Sequence, residues 1–260
     1  MNEYDWTDAV FYDSYATGLE GDVQFYVHEA QQAGSPVLEL GCGTGRVLLP
    51  IAEAGLTIVG LDRAPAMLAI AQQKLATLLP ATQQRITLVE GDMRDFALGQ
   101  RFPLVLIPFR AFQHLLTPED QRHALRCIRD HLTADGRLLC HLFDPRLDTI
   151  VAHGGPLGAA LKKDAEFLHP VTGHRVVVWE TRQYDPAHQR LAQDRIFEEL
   201  DREGRVVART YSLLTLRYVY RYEMQYLLEL SGYTVEALYG DFHRGPFRYG
   251  GEQIWVAKRR

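Results

Sequence analysis

Two rhythms of apolar residues alternate along the chain. Short aliphatic and β-branched runs occur at 36–40, 57–61, 86–89, 102–109 (centred on Leu104-Val105-Leu106-Ile107) and 137–143, and each is predicted to be a strand. Between them, residues 46–54, 64–79 and 119–132 space their apolar positions as a helix does. In the second of these, Met67, Leu68, Ala71, Leu75 and Leu78 share one face, and the third stops near the turn-forming Asp135-Gly136. Residues 1–33 read as helical and rich in aromatics. Strands alternating with helices predict a parallel sheet covered on both faces. Right-handed crossovers would then place the carboxyl ends of these strands along one edge, where such sheets bind ligands.

The rhythm changes between 146 and 222. Residues 175–184, 190–200 and 206–220 read as strands joined by Asp185-Pro186-Ala187-His188 and Asp201-Arg202-Glu203-Gly204. Leu214, Leu216, Tyr218, Tyr220 and Tyr222 alternate with Thr215, Arg217, Val219 and Arg221, the period of two of a strand. This segment is expected to be an antiparallel meander inserted into one domain spanning 1–260. A helix over 223–231 and strands over 233–239 and 253–258 would rejoin the main sheet, bringing it to seven mostly parallel strands.

The 260 residues are 47% hydrophobic and 23% charged, with a formal net charge of −5, which fits a packed globule and excludes a chain-wide basic footprint for nucleic acid. No apolar run is long enough to span a bilayer, and Met1-Asn2-Glu3-Tyr4-Asp5-Trp6 lacks the basic start and apolar core of a leader. Cys42, Cys127 and Cys140 are too few and too scattered for a disulfide framework. A cytoplasmic protein, monomeric or homodimeric and without membrane or nucleic-acid partners, is expected. His123, Cys127 and His131 recur every four residues on one predicted helix, but no fourth ligand accompanies them, so no metal is expected.

The chemistry concentrates in Val37-Leu38-Glu39-Leu40-Gly41-Cys42-Gly43-Thr44-Gly45-Arg46, a strand running into a glycine-rich turn and then a helix. Glycines let a ligand approach the backbone closely, and the helix start suits an anionic group. Glu39, inside an apolar strand, is costly unless something pairs it. A second acid, Asp62, ends the next strand, and a third, Asp92, follows the third strand in Glu90-Gly91-Asp92-Met93. A nicotinamide-dinucleotide site also uses a glycine loop and a later acid, but it expects a glycine at 46, where Arg46 stands, and has no use for Asp92-Met93.

Glu39, the Gly41-Cys42-Gly43-Thr44-Gly45 loop, Asp62 and Asp92-Met93 together resemble the class I S-adenosylmethionine-dependent methyltransferases of small molecules. The resemblance covers 35–143 by motif and implies a Rossmann-like fold with S-adenosylmethionine as cofactor. It implies that the loop from Gly41 to Arg46, including Cys42, Gly43 and Gly45, passes beneath the methionine part. Glu39 would hold the ammonium, Asp62 the ribose hydroxyls and Asp92 the adenine amino group. Met93, Arg63 and Met67 would flank the adenosine, and Phe109 would line the transferred methyl. Tyr15, with Tyr12 and Tyr4, comes from a segment that covers the cofactor in similar proteins.

Methyl transfer from a sulfonium chiefly needs an aligned nucleophile and the exclusion of water. A base helps where the nucleophile must lose a proton. His114 is the candidate base, with Arg110 and Gln113 beside it facing substrate. Asp241, Phe242 and Arg244 lie in a loop after the sixth strand of the main sheet and are expected to reach substrate too. The expected reaction is methyl transfer to N or O of a small molecule, with the insert serving as a lid or a dimer contact. The alternatives are a protein or nucleic-acid methyltransferase, or a cofactor-binding protein without transfer activity.

Overall fold

The aliphatic runs pair into a seven-stranded sheet. In chain order its strands are β1 (Val37–Leu40), β2 (Ile58–Asp62), β3 (Ile86–Glu90), β4 (Phe102–Ile107), β5 (Leu132–Phe143), β10 (Tyr233–Tyr239) and β11 (Glu252–Arg259), and they lie side by side as β10-β11-β5-β4-β1-β2-β3. β3, β2, β1, β4 and β5 run parallel, while β11 lies antiparallel between β5 and β10. The structure is a computed structural model and describes residues 6–153 and 160–260. Among those residues no helix is long and apolar enough to cross a membrane.

Alternation along the strands feeds two cores, as a sheet covered on both faces requires. Leu38, Leu40, Val59, Leu61, Val105 and Ile107 meet Leu125 and Ile128 of α6 (Pro118–His131) and Met224 and Leu228 of α8 (Arg221–Leu230). Val37, Ile58, Leu104 and Leu106 meet Phe25 and Tyr26 of α2 (Asp22–Ala33) and Leu48 and Ile51 of α3 (Leu48–Glu53). Glu39 has the parity of Val37 and so falls on this second face, among apolar neighbours.

Helix boundaries follow local chemistry. The Thr117 side chain accepts the Asp120 N–H at 3.0 Å and Pro118 opens α6, a normal N-terminal pair. α4 (Pro65–Leu75) ends before the expected position 79, because Pro80 disfavours helix in the residue before it and opens the short α5 (Pro80–Gln83). β5 begins at Leu132, earlier than expected. The Asp135-Gly136 turn signal sits inside the strand at a register shift against β4, where a Cβ on Gly136 would lie 3.0 Å from the Phe102 carbonyl oxygen.

This sheet belongs to the unit Gly18–Pro145 with Tyr218–Arg260. A second unit comprises Met1–Thr17 with Arg146–Arg217. It contains α1 (Trp6–Tyr15), α7 (Leu147–Ala152) and an antiparallel sheet of β6 (Lys162–Leu168), β7 (Arg175–Asp185), β8 (Arg190–Leu200) and β9 (Val206–Arg217) in that spatial order. The meander thus has four strands rather than three. The first of them was hidden by charge at Lys162, Lys163 and Asp164, with only Ala165 and Phe167 turned to the core. Phe11 of α1 packs on Val176, Val178 and Phe197, its ring 5.2 Å from that of Phe197. Nearby, the buried Glu180 carboxylate is held by Arg182, by Arg195 Nε at 3.0 Å and by Gln193 at 3.0 Å.

Candidate functional site

The carboxyl ends of β1 and β2 are tied together by the glycine loop. The Gly41 and Cys42 N–H groups donate to the Leu61 carbonyl at 2.8 and 3.2 Å, and the Gly43 N–H donates to Asp62 Oδ2 at 2.7 Å. Gly41, Gly43 and Gly45 all adopt positive φ. At Gly41 the reason is twofold, because a Cβ there would stand 2.6 Å from that of Ala111. Around Gly43, in contrast, nothing lies within 4 Å of where a Cβ would be, so the loop faces open space there. Cys42 is buried against Gly60, and burial pushes its thiol up.

Glu39 is 2% exposed, and its Oε2 has no hydrogen-bond partner among the described residues. Burial raises its pKa well above the carboxylate range. The nearby Arg46 charge opposes this rise and Asp62 adds to it. Arg46 is itself held by Asp22, Nη1 to Oδ1 at 2.9 Å and Nη2 to Oδ2 at 2.8 Å, with its guanidinium 5.0 Å from the Phe109 ring centre. Asp62 accepts a second backbone N–H, from Ala64, at 2.9 Å. Burial raises its pKa, and these two hydrogen bonds with the charges of His114 and Arg63 pull it part of the way back. Each carboxylate oxygen has two acceptor sites, so capacity for two further donors remains.

At the end of β3, Asp92 forms a two-pronged contact with Arg94, Nε to Oδ1 at 3.0 Å and Nη2 to Oδ2 at 2.7 Å. Partial burial raises its pKa, but the Arg94 bonds outweigh it and hold the carboxyl below its usual range. The Met93 Cε lies 3.8 Å from where a Gly41 Cβ would be, which puts this thioether beside the glycine loop. Met67 is buried in the first turn of α4 and Arg63 is exposed just before it.

After β4 the backbone turns through two successive left-handed residues, Phe109 (φ 46°) and Arg110 (φ 70°), into the short 3-10 turn Ala111–His114. Such conformations cost a non-glycine residue on the order of 1–3 kcal/mol each and cluster at functional sites. His114 is half-buried and close enough to Asp62 to act on its charge.

Other expected contacts are engaged elsewhere. Gln113 is fully buried and its Oε1 accepts the Phe143 N–H at 3.1 Å, so it braces β5 instead of facing substrate. Asp241 caps its own loop through the Gly245 and His243 N–H groups, at 2.8 and 2.9 Å. Phe242 is buried in the core with Phe25, Tyr26 and His141, because an aromatic ring gains more from packing than from a solvated loop. Arg244 pairs with Glu29 and stacks over Phe25. Tyr15 belongs to the second unit, where its ring lies 5.6 Å from Phe197 and 5.2 Å from the Arg195 guanidinium carbon. Tyr4 lies outside the described residues.

Residues 37–136, the span from β1 into β5, match the family described as the methyltransferase domain. Over that span the chain carries a methyltransferase domain. It is 26% identical over 193 residues to the dTDP-3-amino-3,6-dideoxy-alpha-D-glucopyranose N,N-dimethyltransferase of Streptomyces fradiae, covering 64% of this chain and 72% of that protein. It is 30% identical over 145 residues to the cypemycin N-terminal methyltransferase of a Streptomyces species, covering 55% of this chain and 57% of that one. In fold it is similar to the CcbJ methyltransferase of Streptomyces caelestis, with a TM-score of 0.78 at 24% identity over 98% of this chain and 99% of that one.

The site suits the methyltransferase cofactor. A buried carboxylate oxygen without a partner is the acceptor that the ammonium of a methionine moiety requires. The space beside Gly43 lies on the same loop, and Asp62 retains acceptor capacity for hydroxyls. The sequence reading did not single out His141 and Glu252. Both lie at this edge of the methyltransferase sheet and pair at 2.7 Å. The signal was present at His141, a polar residue inside the apolar run Leu138-Leu139-Cys140-His141-Leu142, just as Glu39 is in β1.

Proposed function

We propose that this enzyme methylates an amine nitrogen of a small molecule, with amino sugars as the favoured class of acceptor. Support comes from two relatives, one named as an N,N-dimethyltransferase of a nucleotide-linked amino sugar and one as an N-terminal methyltransferase. The single observation that carries the cofactor side is the buried, unsatisfied Glu39 beside an open glycine loop. Bound S-adenosylmethionine supplies a methyl group already activated by its sulfonium. The chain's own residues bind and orient. Glu39 pairs with the ammonium, Asp62 accepts the ribose hydroxyls and Asp92 accepts the adenine amino group, with Met93 and Met67 packing the base. Phe109 lines the methyl, and Arg110 hydrogen-bonds an oxygen of the acceptor.

An aliphatic amine is mostly protonated at neutral pH and must lose a proton before it can attack. His114, near Asp62 and half-buried, takes that proton, a role worth roughly 10²–10⁴-fold in rate. Holding amine and methyl in line supplies most of the remainder. The second unit serves acceptor selection.

The decisive experiment is a transfer assay with methyl-labelled cofactor against nucleotide amino sugars, their hydroxyl analogues, amine-bearing peptides and RNA. Label on the amino sugar alone is the expected outcome. Label only on the hydroxyl analogue, the peptide or RNA overturns the acceptor class.

A further inference from the structure

The loop after β4, strand β5 and the start of β11 converge on three polar side chains. Arg110 Nη2 donates to Glu252 Oε1 at 2.9 Å, and Glu252 Oε2 lies 2.7 Å from His141 Nε2. His141 is 1% exposed, in a strand otherwise made of apolar residues. Burial lowers its pKa, and Glu252 offsets this only in part. A neutral imidazole against a carboxylate carries its proton on Nε2, so His141 donates and Glu252 accepts. Burial also raises the Glu252 pKa, but the bonds from His141 and Arg110 outweigh it and keep the carboxyl ionised.

The Arg110 guanidinium is confined further by rings, with its central carbon 5.3 Å from the Phe143 centre and 5.9 Å from that of Phe109. Its backbone sits in the left-handed region, and its Nε is buried without a partner among the described residues. The side chain is nevertheless 33% exposed. A burial this costly, next to strained backbone and serving one half-open cation, is a means of orientation more than of stability.

We propose that Glu252 and His141 are positioning residues of the acceptor site, fixing the Arg110 guanidinium as a preorganised hydrogen-bond fork for an oxygen-bearing group of the methyl acceptor. The proposal rests on the role given to Arg110 above. His141 sets the orientation of Glu252, Glu252 anchors one end of the guanidinium, and the flanking rings set its plane. An arginine held in this way loses less freedom when it binds, so the benefit appears in acceptor affinity.

The test uses the full-length enzyme and Glu252→Gln, His141→Leu and His141→Gln, the last of which returns an amide N–H toward Glu252. Cofactor affinity by calorimetry serves as the folding control and should stay within about twofold in all three, because none of these residues is assigned to the cofactor. The Arg110 Nε–H resonance, identified by its loss in Arg110→Lys, should be dispersed and slow to exchange in the wild type. In Glu252→Gln and His141→Leu it should collapse onto the mobile arginines, and His141→Gln should recover it. With the acceptor found by the labelling assay, KM for that acceptor should rise roughly tenfold or more at nearly unchanged kcat, the size expected for loss of a charge-assisted contact. An Arg110 signal unchanged in both disrupting variants overturns the proposal. So does a collapsed signal with unchanged acceptor KM, which would leave the array as a tie between β11 and the β4 loop. If no substrate is labelled, the acceptor reading fails on its own, and the Arg110 signal still decides whether the positioning holds. If Glu252→Gln impairs folding, the contrast between His141→Leu and His141→Gln carries the same readouts.

Discussion

Glu39 exemplifies how a single carboxyl group couples ligand, proton and stability. Its folded pKa lies above its unfolded value, so its burial is harmless below the ordinary carboxylate range. As pH rises toward the folded value, the unfolded chain gives up its proton first and the cofactor-free fold loses stability. Glu39→Gln is therefore expected to raise the Tm of the cofactor-free protein at neutral pH and to leave it unchanged in acid. The cofactor's ammonium favours the ionised carboxylate, so binding should release a proton and tighten as pH rises. Calorimetry in two buffers of different ionisation enthalpy checks this, since a buffer-independent enthalpy means no proton is released. Asp62→Asn should weaken cofactor binding about tenfold or more through loss of charge-assisted hydrogen bonds, read by the same titration. His114→Ala should lower turnover roughly 100-fold with unchanged cofactor affinity, and full activity across the pH range would remove it as the base.

Between residue and molecule, the glycine loop shows what the sequence can and cannot disclose about an element. The positions of Glu39, Gly41, Gly43, Asp62 and Asp92 were legible, because apolar strands ending in glycine or acid announce the ligand edge of a parallel sheet. The partners were not. Nothing local to Arg46 indicates that Asp22 holds it, and nothing in the loop following β10 distinguishes a buried Phe242 from a solvated one. Such pairings join residues far apart in the chain and depend on which faces meet. β6 was missed for the opposite reason, since its register is imposed by β7 while its own pattern is mostly charged. Gly60 is a further case, as its need to be glycine comes entirely from across the core. A Cβ there would lie 2.2 Å from Leu48 Cδ1 and 2.9 Å from Cys42 Sγ. Gly60→Ala should accordingly cost about 1–3 kcal/mol of stability by denaturant unfolding and weaken cofactor binding through the displaced loop.

For the molecule as a whole, the division into two units suggests separable duties. Glu39, Asp62 and Asp92, the residues proposed to bind the cofactor, all lie in the seven-stranded unit, which has its own two-sided core. The second unit has a separate core around Phe11, Val176, Val178 and Phe197. Replacing residues 146–217 by a short linker, with 1–17 removed, should leave cofactor binding within about tenfold while acceptor methylation is lost. Normal acceptor kinetics in that truncated enzyme would show that the second unit has no part in selecting the acceptor.

β11, synthesised after every other strand of its sheet, lies in the interior of that sheet between β5 and β10. Trp255 registers against Cys140 on one side and Leu238 on the other. Until β11 emerges from the ribosome, the nascent sheet carries an open apolar flank along β5, and β10 has nowhere to dock. The closure is long-range and therefore slow. During translation this flank is the surface where a chaperone would have to bind, and where two unfinished chains would first adhere.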